Sequence, residues 1–71
     1  MLNAMTDAEM IAAIEDLGWY GLTVTSERVR GYHATHPAGW QEWMQPAPGA
    51  SVVLASFLRN IQNPELLAKY A

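Results

Sequence analysis

The chain contains no cysteine, which removes disulfides, thiolate metal sites and cysteine nucleophiles at once. Cations are scarce as well. Arg28, Arg30, Arg59 and Lys69 are the only four, against seven carboxylates, and the net charge is −3. Nucleic acid is thereby a less favoured ligand, because phosphate binding draws on lysine and arginine. No apolar run approaches the roughly 20 residues of a membrane-spanning helix. No basic residue precedes Arg28 to open a secretory signal. A cytoplasmic protein with no membrane partner is the expectation.

Catalytic patterns are missing too. Ser26, Ser51 and Ser56 lie outside any nucleophile elbow, and there is no glycine-rich phosphate loop. Asp7, Glu9, Glu15 and Asp16 fall on outward or capping positions of one helix, not in a facing catalytic pair. His33 and His36 are three apart, but zinc needs three or four protein ligands and only Glu42 lies nearby. No enzyme, metal or cofactor is expected.

What the chain does have is apolar content. Of its 71 residues, 51% are hydrophobic and only 15% charged. That composition folds as a globular domain. A chain of this length buries only about 60% of its unfolded surface, however. Some apolar surface is therefore expected to meet a partner, either a larger protein or a second copy. Residues 1–5 read as a flexible leader and 6–71 as a single small helical domain.

Helix-start signals occur twice, at Met5-Thr6-Asp7-Ala8-Glu9-Met10 and Val24-Thr25-Ser26-Glu27-Arg28-Val29. Each places a capping threonine between apolar residues five apart, the spacing of a hydrophobic staple; in the first, Glu9 completes a capping box. Helix one is predicted from Asp7 to Leu17 on the stripe Met10, Ala13, Ile14 and Leu17, with Gly18 as its stop. A later helix is predicted from Ala50 to Gln62, with Ala50, Val53, Leu54, Phe57 and Ile61 on one face, flanked by Leu58. Asn63-Pro64-Glu65 then reads as N-cap, N1 proline and acidic N2 of a short last helix carrying Leu66, Leu67 and Tyr70.

Residues 26–36 decide the fold class. As a strand, neither the Val29-Gly31-His33-Thr35 face nor the Arg28-Arg30-Tyr32-Ala34 face is a good apolar surface. As a helix, Val29, Tyr32, His33 and His36 share a side, and the second cap supports that reading. Trp40, Trp43 and Met44 recur at helical spacing after the Pro37-Ala38-Gly39 turn. The predicted fold is therefore all-α, a small bundle of four to five short helices. The alternative is α+β with a small hairpin at residues 22–45.

Aromatics are the functional lead. Trp19, Tyr20, Tyr32, Trp40 and Trp43 crowd the middle of the chain, and such residues anchor protein interfaces. Together with rim contacts from Arg28 and Arg30 they form the candidate partner-binding set. The function expected is a non-catalytic small protein-binding module that modulates or inhibits a larger protein, with self-association as a homodimer open. In its small size, tryptophan content and lack of cysteine the chain resembles the compact accessory proteins that bacteriophages encode, which implies an origin and no activity. The alternative function is a small helix-turn-helix DNA-binding transcriptional regulator, built on the locally basic Arg28, Arg30, His33 and His36. Its recognition segment would be Trp40 to Gln45, where Glu42 and the tryptophans sit poorly beside phosphates.

Overall fold

The computed structural model describes residues 5–36, 39, 41–43 and 49–70, and of 42, 43 and 70 the backbone only. The chain is α+β. Helix α1 (Asp7–Asp16) is followed by strands β1 (Trp19–Val24), β2 (Val29–His33) and β3 (Gln41–Trp43), then helices α2 (Ala50–Ile61) and α3 (Pro64–Tyr70). The strands form an antiparallel sheet in the order β1-β2-β3. This overturns the all-α bundle of four to five short helices predicted above. The helix-turn-helix reading loses its two helices as well, since residues 29–33 and 41–43 are strands. Pro37, Ala38 and Trp40, like the leader residues 1–4, lie outside the described residues.

The first helix-start signal works as read. Thr6 N–H donates to Glu9 Oε1 at 2.8 Å, and Glu9 N–H donates to Thr6 Oγ1 at 3.1 Å. Gly18 ends the helix with φ +94°, and its carbonyl accepts the Ala34 N–H at 2.8 Å, which ties the start of β1 to the end of β2. The last helix also starts as its sequence indicates, with Asn63 Oδ1 accepting from Glu65 N–H at 2.8 Å.

The second signal caps a turn instead. Thr25 Oγ1 accepts the N–H groups of Glu27 and Arg28, each at 3.1 Å, while Thr25 N–H donates to the Arg28 carbonyl at 2.9 Å. A threonine hydroxyl satisfies turn donors by the same geometry with which it caps a helix. The supposed staple pair, Val24 and Val29, sit directly opposite one another across the hairpin. Five residues of separation serve both arrangements, so this local pattern has no power to choose between them.

Tertiary pairing makes the choice. Val29, Gly31 and His33 are all buried along β2. The strand face that looked too poor to bury is completed by neighbours. Leu22 lies over Gly31, its Cδ2 only 2.5 Å from where a Cβ on Gly31 would sit. His33 is opposite Trp19 in β1. A bulge also keeps β1 in step, because Gly21 and Leu22 together face the single residue between Arg30 and Tyr32. It shifts the inward phase from Trp19 to Leu22 and Val24, a pattern that strict alternation hides.

Helices α1 and α2 pack on this inner face and on each other. Met10 and Ile14 from α1, Val53, Leu54, Phe57, Leu58 and Ile61 from α2, and Trp19 and Val29 from the sheet form one core. The α2 members match the predicted stripe, apart from the half-buried Ala50 at its start.

Gly21 holds the bulge with φ +66°, and a Cβ there would lie 3.2 Å from the Tyr32 ring. A side chain in left-handed backbone costs about 1–2 kcal/mol. Gly21→Ala is therefore expected to lower stability by about that much, read as a reduced midpoint in equilibrium urea unfolding.

Candidate functional site

The far face of the sheet gathers three of the predicted residues, Tyr20, Arg30 and Tyr32. Alternation along β1 and β2 sends Trp19, Leu22, Val24, Val29, Gly31 and His33 toward the helices. The pairs Tyr20–Tyr32 and Thr23–Arg30 then share the opposite face. Tyr20 and Tyr32 are directly opposed and are 48% and 45% exposed. Arg30 extends across the sheet, its Nε and Nη2 both donating to Gln41 Oε1, at 3.2 and 3.0 Å. These bonds brace the guanidinium across the strands on the face that also carries Tyr32, whose strand partner in β3 is Gln41.

Glycines shape the space around Tyr32. Its ring passes 3.2 Å from the position a Gly21 Cβ would take and 4.0 Å from that of Gly39. A side chain at Gly21 would crowd the ring, whereas one at Gly39 would start at ordinary contact distance from it. The glycines leave it room and leave part of it open.

Trp19 does not belong to this surface. It is 2% exposed and meets Phe57 and His33 edge-on, with ring centroids at 5.4 Å and 5.2 Å. The reason is phase: Trp19 is the first residue of β1 and faces inward, and Tyr20 after it must face out. The expectation that Trp19 belongs to the partner-binding set, supporting Trp40 and Trp43 as anchors, is corrected accordingly. Arg28 sits in the exposed hairpin turn, apart from the strand face that carries Arg30. Trp43, in β3, pairs through its backbone with Arg30 of β2. Its side chain, and Trp40 as a whole, lie outside the described residues.

His33 is buried, with Nδ1 3.0 Å from Thr35 Oγ1, and His36 is half-buried. The shared helical face on which joint metal ligation was considered is not formed. Among the described residues no three histidine or acidic side chains cluster as a metal site.

Two members of the sheet surface, Thr23 and Gln41, were not singled out from sequence. The alternation Arg30-Gly31-Tyr32 was the available signal for a polar-aromatic face. Gln41 required the β2–β3 register, which no local pattern supplies. Among the described residues, no helix is long and apolar enough to cross a membrane. No protein-family model, curated protein or solved structure matches this chain.

The two aromatic environments predict opposite mutational behaviour. Trp19→Ala empties the centre of the core and is expected to cost about 3–5 kcal/mol. Tyr20→Ala removes only a cross-strand surface pair, worth about 0.2–1 kcal/mol. Thermal unfolding followed by circular dichroism separates them: a large fall in midpoint for Trp19→Ala and a small one for Tyr20→Ala.

Proposed function

We propose that this chain is a non-catalytic protein-binding module that modulates a larger partner, and that the outer face of its sheet is the contact surface. One observation carries the reading: Tyr20 and Tyr32 stand side by side on a rigid antiparallel pair, each about half exposed, with Arg30 held beside them. Tyrosine and arginine are the residue types that most often dominate binding energy at protein interfaces. Tyrosine in particular offers a large apolar ring and a polar hydroxyl at low cost in side-chain entropy.

Strand positions also suit recognition better than loop positions, because the pleat fixes ring spacing before binding. Arg30 supplies direction. Its guanidinium, braced by Gln41, favours a partner that brings an acceptor or a carboxylate to the edge of the tyrosine pair.

The test compares the intact chain with the Tyr20→Ala/Tyr32→Ala double variant as baits in a lysate of the native host. A protein retained by the intact chain is then titrated with both. The proposal expects the double substitution to weaken that complex by about 2 kcal/mol or more, with the far-ultraviolet circular dichroism unchanged. Equal affinity for the two baits removes the sheet face from the interface and overturns the assignment.

A further inference from the structure

We infer that a groove in the helical layer seats a second copy of this chain, through antiparallel packing of α2 on α2. The inference is independent of the sheet face, which uses other residues. The groove has a volume of about 540 Å³, and its lining includes Met5, Met10, Val52, Ala55, Ser56 and Arg59. Val52 and Met5 are 49% and 44% exposed, although both are apolar. Arg59 stands at one end with no ion-pair partner among the described residues. At the other end Ser51, also in the lining, donates its hydroxyl to Asp7 Oδ1 at 2.7 Å.

The two ends are opposite in charge, and their spacing makes the surface complementary to itself. Ser51 and Arg59 are eight residues apart on α2, about 12 Å along the axis. Positions 52 and 59 are equidistant from the midpoint between Ala55 and Ser56. A two-fold axis at that midpoint lays each Arg59 over Val52 and Ser51 of the other copy, and so beside its Asp7 carboxylate. Two equivalent Arg59–Asp7 pairs form, as an isologous interface requires. Between them the exposed Val52 and Met5 of both copies are covered. The small Ala55 and Ser56 at the centre let the helix axes approach to about 8 Å, the close end of helix packing. A partner of unrelated sequence would have to reproduce this charge order and spacing; a second copy has it already.

The experiment is sedimentation equilibrium of the full chain over a dilution series at low ionic strength. The expected result is a reversible monomer–dimer equilibrium. Arg59→Glu places a carboxylate against Asp7 and is expected to weaken the dimer at least tenfold, with circular dichroism unchanged. Asp7→Arg is expected to do the same by opposing Arg59. An equimolar mixture of these two variants should then form a one-to-one heterodimer, because the new pair attracts and one native pair remains. A chain that stays monomeric at millimolar concentration overturns the inference. So does an Arg59→Glu variant that dimerises like the parent, or two folded variants that fail to associate on mixing. Should Asp7→Arg not fold, amide chemical shifts of the unmodified chain decide. Dilution must move Val52, Ala55 and Arg59, and changes confined to other elements overturn the assignment.

Discussion

The structure depends on one burial event, the enclosure of Trp19 between the helical layer and the sheet. Its ring meets Phe57 of α2 and His33 of β2 edge-on, so a single side chain joins the first hairpin to the later helix α2. Without disulfides, a domain of this length relies on buried apolar contacts such as this one to hold a short, bulged sheet against two helices. A tryptophan side chain removes on the order of 150–250 Å² from water. That favours β1 starting with Trp19 inward, and the phase of β1 follows from it. With the inward phase set, Tyr20 must project outward, and so must Tyr32 opposite it.

The bulge at Gly21 adjusts this constraint. A regular strand beginning at Trp19 would turn Gly21 inward and Leu22 outward. The extra residue, in left-handed backbone that glycine adopts without penalty, turns Leu22 and Val24 inward. Leu22 then fills the volume that Gly31 leaves empty. The glycine in β2 and the leucine in β1 complement each other across the sheet, and neither is intelligible alone. A bulge in an edge strand also twists it away from open pairing with other chains.

The two proposed contact surfaces lie in different layers and have different chemistry. The sheet face is aromatic and polar, with rigid tyrosines and a braced arginine, while the helical groove is apolar with a charge at each end. A small domain with one core can keep both, because the residues argued to make the contacts, Tyr20, Tyr32, Arg30, Val52 and Arg59, lie outside that core. A dimer built through the helices would present two sheet faces, raising the effective concentration of any second contact on a partner with two sites.

The sequence by itself determined helices α1, α2 and α3, with the starts of α1 and α3, and the stripe that α2 buries. Capping chemistry and period-3.6 apolar spacing act within a few residues and are therefore written locally. It also singled out Tyr20, Tyr32 and Arg30 as candidate interaction residues, which the fold gathers on one surface, while Trp19 of the same set is buried in the core. Residues 26–36 were illegible for a physical reason. Thr25 serves a turn as well as a helix, and the apolar value of the Val29-Gly31-His33 face exists only once Leu22 and Trp19 lie against it. Only the tertiary structure decided that this segment extends and that adjacent aromatics part company, because strand register and the bulge depend on contacts between residues that no local window contains.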